Sequence, residues 1–127
     1  MLALIIDDSR AMRKILTRIV AGLGFECLEA GHGEEALAHL EAGRIPDLCL
    51  IDWNMPVMDG YTFVRRVRAN NQWRNVTLMM VTTESEHSQI VKALAAGAHE
   101  YVIKPFTPDA IVNKLDMLGL LPQEIPA

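Results

Sequence analysis

The chain has 127 residues, half of them hydrophobic and 22% charged, which is the composition of one folded domain with a sizeable core and not of a disordered segment. Its formal net charge of −4 argues against nucleic-acid binding, which wants a basic surface. Met1-Leu2-Ala3-Leu4-Ile5-Ile6 has no basic start and runs straight into two acids, and no apolar run approaches the roughly 18 residues of a membrane span; neither leader nor membrane association is expected, and a cytoplasmic location is.

Leu2–Ile6 is an apolar run that predicts a first strand, ending on Asp7-Asp8. Met12, Ile15, Leu16, Ile19, Val20 and Leu23 then recur at three- and four-residue steps, with Arg10, Arg13, Lys14 and Arg18 on the other side. That is an amphipathic helix, capped by Ser9 and stopped by Gly22 and Gly24. Residues 25–28 predict a second strand that runs out at Glu29-Ala30-Gly31. A second helix covers residues 34–40, with acids in its first turn where the helix dipole favours them. Leu48–Ile51 is a third apolar run and stops dead at Asp52.

The third helix opens near Asp59-Gly60 and presents Tyr61, Val64 and Val67; the arginines of Val64-Arg65-Arg66-Val67-Arg68 read as its solvated face. Residues 76–81 predict a fourth strand ending at Thr82-Thr83. The fourth helix carries Ile90, Val91 and Leu94, takes Thr83 or Ser85 as its cap and ends at Gly97. Residues 101–103 form a fifth strand just before Lys104-Pro105. Thr107-Pro108, a cap followed by proline at the first helical position, opens a fifth helix that buries Ile111, Val112, Leu115 and Leu118. Residues 120–127 read as a short tail.

Five strand–helix units in one domain predict a parallel sheet covered on both faces by right-handed crossovers. Four of the five runs are nearly continuous in apolar character, which suits strands buried on both faces. Five strands are too few for a closed (βα)8 barrel, so the sheet is open and doubly wound. Neither linker nor repeat divides residues 1–127, and no output domain is expected. Cys27 and Cys49 lie inside strand runs and read as small buried hydrophobes, not a disulfide. The four histidines lack zinc-ligand spacing with them.

Open α/β sheets bind ligands at the carboxyl ends of their strands. There the chain gathers Asp7, Asp8, Asp52, Thr82 and Lys104. With strands ~4.8 Å apart, the carboxylates of neighbouring strands lie within about 5–6 Å. Each pair of charges then repels by roughly 3 kcal/mol at an effective dielectric of about 20, and one lysine does not cancel three acids. Either some acids stay protonated or a divalent cation sits among them. Oxygen-only ligands favour Mg²⁺ or Mn²⁺ over zinc. A cation, a hydroxyl and an ammonium around one carboxylate suit a phosphoryl group arriving on a carboxylate oxygen. Asp52 stands alone at its strand end and is the nucleophile candidate. Gly31-His32-Gly33-Glu34-Glu35-Ala36 fits a dinucleotide-binding G-x-G-x-x-A. However, it lies on the second unit, and two glutamates fill the helix N-terminus where pyrophosphate would sit.

Ile6-Asp7-Asp8-Ser9, Asp52-Trp53-Asn54-Met55-Pro56 with Met58-Asp59-Gly60, Val81-Thr82 and Tyr101-Val102-Ile103-Lys104-Pro105-Phe106 together resemble the motif set of response-regulator receiver domains over essentially the whole chain. The likeness is greatest to single-domain chemotaxis regulators, which share the Asp-Trp-Asn-Met-Pro segment. The resemblance implies sheet order 2-1-3-4-5. It implies that Asp52 accepts a phosphoryl group from a histidine kinase or phosphotransfer protein. Asp8, Asp52 and the backbone carbonyl of Asn54 would ligate Mg²⁺, with Asp7 acting largely through water. Lys104, before a cis Pro105, would pair with the phosphoryl group. Thr82 would move toward it, and Tyr101 would turn into the space Thr82 leaves, switching the surface of the fourth helix, fifth strand and fifth helix. The implied partner is a downstream protein such as a flagellar motor switch, and a phosphatase is a further partner; the chain itself would be a monomer that catalyses only its own phosphorylation and slow dephosphorylation. A phosphorelay shuttle or a phosphate sink would look the same.

Tyr101 also reads as a plain half-buried strand aromatic, and Trp53 as a rim aromatic without chemistry, useful as an optical reporter. Asn54 and Glu84, two residues past Asp52 and Thr82, are placed to tune water access to the phosphoryl group. A metal-dependent hydrolase of the aspartyl-phosphate kind would want a D-x-D motif on the first strand and a capping insertion, and the chain has neither. A binding-only relic would not be expected to keep the full set of Asp7, Asp8, Asp52, Thr82 and Lys104.

Overall fold

The computed structural model describes residues 1–121, so most of the tail expected at 120–127 lies outside the described residues. The elements are β1 (Leu2–Ile6), α1 (Arg10–Gly22), β2 (Glu26–Ala30), α2 (Gly33–Glu41), β3 (Leu48–Ile51), α3 (Gly60–Arg68), a short 3₁₀ turn (Asn71–Trp73), β4 (Thr77–Thr82), α4 (His87–Ala96), β5 (Glu100–Ile103) and α5 (Pro108–Met117). Local chemistry starts several helices where the sequence predicts. The Ser9 hydroxyl accepts from the Met12 N–H at 3.2 Å, the Asp59 carboxylate from Thr62 N–H at 2.8 Å, and the Thr107 hydroxyl from Ala110 N–H at 3.3 Å, with Pro108 following.

The strands form one parallel sheet in the order β2-β1-β3-β4-β5. Alternate residues of β1 face opposite layers. Leu4 and Ile6 join Cys49, Ile51, Leu78 and Met80 under α2, α3 and α4, while Ala3 and Ile5 join Leu48, Leu50, Met79 and Val81 under α1 and α5. The central strands β1, β3 and β4 are buried on both faces, as near-continuous apolar runs should be.

Several expectations fail at the edges. β5 is not buried on both faces: it has one neighbour, and Ile103 is 42% exposed. β2 is the other edge and is only partly covered. Ile15 of α1 points outward, and on α4 Val91 and Leu94 are 50% and 42% exposed. α4 is turned so that small Ala93 is its buried residue, because a short side chain lets the helix lie close over the sheet. Neither Thr83 nor Ser85 caps α4: its N-cap is Glu86, and no side chain bonds there. Phe63, one step off the predicted stripe of α3, is fully buried.

Arg68 is the largest departure. It is not part of a solvated face. Its guanidinium donates to the carbonyls of Gly97 (3.0 Å), Trp73 (3.4 Å), Arg74 (3.3 Å) and Val76 (2.7 Å), and one nitrogen lies 3.3 Å from His99 Nδ1. One side chain thus ties the end of α3 to the 3₁₀ turn, the start of β4 and the end of α4. Burial lowers its pKa from the usual guanidinium value. Gly97 takes a positive φ of 122°, and a Cβ there would press into the Arg68 stem.

Lysine cannot reproduce that fork. Arg68→Lys should therefore lower stability by about 1–3 kcal/mol, read as a drop in the denaturant midpoint, while exposed Arg66→Lys should stay within about 0.5 kcal/mol of the parent. Equal midpoints for the two variants would show that the fork contributes nothing.

Candidate functional site

The strand register places the polar residues. Ile6 pairs with Ile51, Ile51 with Met80, and Thr82 with Ile103. The next peptide units continue the ladder: Asp52 N–H donates to Ile6 O at 2.9 Å, and Lys104 N–H to Thr82 O at 2.8 Å. Asp7, Asp52, Thr82 and Lys104 therefore emerge side by side on the carboxyl edge, and Asp8 follows on the rim. Asp7 (1% exposed), Asp52 and Thr82 are the buried polar residues of the described chain.

Each side chain is held. The Lys104 ammonium lies 2.7 Å from Asp7 Oδ2 and 3.7 Å from Asp52 Oδ2. The peptide bond before Pro105 is cis. Asp7 Oδ1 accepts from Ser9 N–H at 2.8 Å. Asp52 Oδ1 accepts from Trp53 N–H at 2.9 Å. Thr82 Oγ1 accepts from Glu84 N–H at 3.3 Å. Tyr101, half-buried, donates its hydroxyl to Glu84 O at 2.6 Å. Burial and the charges of Glu84 and Asp52 push that phenol up to about 12, so it stays a donor at ordinary pH. Asn54 Nδ2 reaches Glu84 Oε2 at 3.5 Å, so the two residues expected to govern water access meet at the mouth of the site.

The carboxylates of Asp7, Asp8 and Asp52 can each offer an oxygen within 4.8 Å of the others, as the spacing of neighbouring strands allows. Burial raises the pKa of Asp52 above the usual carboxylate value, and the charge of Asp7 adds to this. The Thr82 hydrogen bond, the Lys104 charge and the Trp53 N–H pull the other way and do not overcome it. Three crowded hard oxygen donors with one ammonium are what a small divalent cation fits.

Sequence reasoning missed two supports. Arg13, assigned to the solvent side of α1, reaches back to donate to Asp7 O at 2.6 Å and pairs with Glu29 at 3.0 Å. The signal was its place in the first turn, since helical side chains lean toward the N-terminus. Gly60 donates its N–H to Trp53 O at 2.8 Å, and a Cβ there would collide with the Asp52 carbonyl. Only glycine lets α3 stand this close to the strand that carries Asp52.

Trp53 is not a rim aromatic. It is 7% exposed, belongs to the core under α2–α4, and stacks on Tyr61 with ring centroids 5.5 Å apart and planes 7° apart. In the turn that follows, Val57 adopts φ 67°, a conformation that strains a β-branched residue.

Several N–H groups at the Gly31-His32-Gly33 turn that a pyrophosphate would need are already taken. His32 Nδ1 accepts from Glu35 N–H, Glu35 Oε1 from Gly31 N–H, and Met58 O from Gly33 N–H, so the helix N-terminus is already satisfied. Both cysteines are free, and burial pushes the thiol of Cys49 far up.

Residues 3–116 match the family of the response regulator receiver domain. The chain is 40% identical to chemotaxis protein CheY1 of Helicobacter pylori over 116 residues, covering 91% of this chain and 94% of that protein. It is 41% identical to the chemotaxis protein CheY homolog of Campylobacter jejuni, covering 91% of each. Among solved structures it resembles CheY4 of Vibrio cholerae (TM-score 0.83, 34% identity, 91% of this chain and 96% of that one). It also resembles the CheX-CheY-BeF3-Mg+2 complex of Borrelia burgdorferi (TM-score 0.85, 26% identity, 93% and 88%).

The raised pKa of Asp52 sets a sign. The folded state prefers the protonated acid, so that contribution is full below the ordinary carboxylate pKa and is lost as pH rises through the raised folded value. In chelator-treated buffer at neutral pH, Asp52→Asn should melt a few degrees above the parent, and the gap should close as pH falls through the carboxylate range. A variant that melts below the parent at neutral pH would contradict the charge crowding.

Proposed function

The chain belongs to the response-regulator receiver family, and on that footing we propose that it is a CheY-type phosphorylation switch in which Asp52 is the acceptor. The observation that carries this reading is the convergence of Asp52, Thr82 and Lys104 on one strand edge. One Asp52 oxygen is fixed by Trp53 N–H, and the other faces Lys104 at 3.7 Å.

In the proposed reaction Asp52 Oδ2 attacks the phosphorus of a kinase phosphohistidine, and the imidazole leaves. Lys104, already between Asp7 and Asp52, shifts its ammonium onto the incoming phosphoryl oxygens. Thr82 turns its hydroxyl to donate to one of them. Receiver domains bind Mg²⁺ in such an acidic pocket. Here Asp8, Asp52 and the Asn54 carbonyl would hold it, with Asp7 acting through water, and it would supply charge neutralisation for the transferred oxygens.

Glu84 links the site to the surface. Its N–H rests on Thr82 and its C=O receives the Tyr101 hydroxyl, so a movement of Thr82 is felt at Tyr101. Nearby, Val91, Leu94 and Ile103 stand exposed, an apolar face on α4 and β5 for a partner to cover. The chemotaxis proteins of Helicobacter and Campylobacter at 40–41% identity support a chemotaxis role, with a flagellar motor switch as the output partner. The CheX partner in the Borrelia complex supports a protein that binds the activated form, for which a phosphatase is the expected class. We take the protein as a cytoplasmic monomer; no described helix is long and apolar enough to cross a membrane.

With Mg²⁺ and a small phosphodonor, the protein should gain the mass of one phosphoryl group, and Asp52→Asn should not. Beryllofluoride should perturb Trp53 fluorescence in the parent alone. No mass gain in the parent sinks the reading. Because Asn54 and Glu84 meet over the mouth, Asn54→Ala and Glu84→Ala should change the dephosphorylation rate severalfold and the phosphorylation rate little. Decay identical to the parent in both would remove them from that role.

A further inference from the structure

A second concave feature lies away from the acidic site, between α3 and α4. It is an open groove of about 330 Å³ lined by Tyr61, Arg65, Ala69, Lys92, Ala95 and Ala96. Tyr61 is its aromatic wall. The Lys92 ammonium stands over that ring at 4.5 Å from the centroid, and the Arg65 guanidinium at 5.8 Å. Both cations are exposed. The three alanines leave room for a backbone to approach.

The charge that lines this groove is one-sided: Arg65 and Lys92 are its charged residues, and no Asp or Glu lines it. The ion pairs among the described residues are Arg13–Glu29, Lys104–Asp7, Lys104–Asp52 and Lys114–Glu100; Arg65 and Lys92 take part in none. Two cations held over a ring without carboxylate partners are preorganised for one from outside. The groove is short and the whole chain is acidic, which disfavours a nucleic-acid backbone.

We propose that the α3–α4 groove docks an acidic peptide segment of a partner protein, its carboxylates meeting Arg65 and Lys92 over Tyr61. The site is separate from the apolar α4–β5 face: Lys92, Ala95 and Ala96 turn toward α3, while Val91 and Leu94 lie on the other flank of α4. Because Tyr61 stacks on Trp53, the indole beside Asp52 reports occupancy.

The test is a titration of the full chain with a short synthetic Glu/Asp-rich peptide at low salt, followed by Trp53 fluorescence in a Trp73→Phe background. Chelator is present and beryllofluoride absent, so the outcome is independent of phosphoryl transfer; repeating it with Asp52→Asn should give the same affinity. The Gln/Asn version of the peptide should not bind. Arg65→Glu with Lys92→Glu should weaken binding about tenfold or more; Arg66→Glu, outside the groove, should change it by less than about threefold. Far-UV circular dichroism confirms that the variants fold. No binding of the acidic peptide, or equal binding by the double reversal, overturns the proposal. Tighter binding of a single-stranded oligonucleotide, weakened by the same double reversal, overturns the peptide as occupant.

Discussion

Everything at the carboxyl edge answers to one electrostatic constraint: three carboxylates crowd within 4.8 Å and a single ammonium stands among them. Lys104 sits closest to Asp7, the most buried acid, and leaves Asp52 only partly compensated. Burial raises the pKa of Asp52, and the Lys104 charge at that distance does not offset it. An oxygen that is under-compensated and partly desolvated is one that gains from an arriving electrophile and from a cation. The crowding works against the fold's own stability, a conflict that proteins tolerate at functional sites.

Holding those charges together requires stiff surroundings. β1, β3 and β4 are buried on both faces, so the acids project from strands with no freedom to separate. Gly60 brings α3 against the Asp52 carbonyl, and Arg13 fastens the Asp7 carbonyl from the other layer. Arg68 does comparable work at the far end of α3, satisfying four carbonyls from three segments. By contrast α4 buries one alanine and has no side-chain cap. Few buried apolar contacts and an open helix end belong to an element that can shift; α4 follows the Glu84 loop and carries the exposed Val91 and Leu94.

Two sets of contacts border α4. One runs from Thr82 through the peptide units of Glu84 to Tyr101. The other is the Trp53–Tyr61 stack, whose Tyr61 ring walls the groove between α3 and α4. They reach opposite flanks of α4, which gives that helix two faces with different chemistry: one apolar, one cationic.

Fold class could be read from the chain because it rests on local rules, strand order came from the resemblance, and the placement of Asp7, Asp52, Thr82 and Lys104 at strand ends follows from where the apolar runs stop. Apolar runs of strand length, caps such as Ser9 and Thr107, and the alternation of strand and helix are written in neighbouring residues. What the sequence left open depends on groups brought together from distant positions. Arg68 looks like any surface arginine until the ends of β4 and α4 supply carbonyls for it. Trp53 looks exposed until Tyr61 arrives above it. Val91 and Leu94 fit a buried stripe until the close approach of α4 through Ala93 turns them outward. Periodicity names the apolar residues of a helix, but the distance and rotation at which the helix settles on the sheet decide which of them are buried. That settlement is a property of the tertiary structure alone.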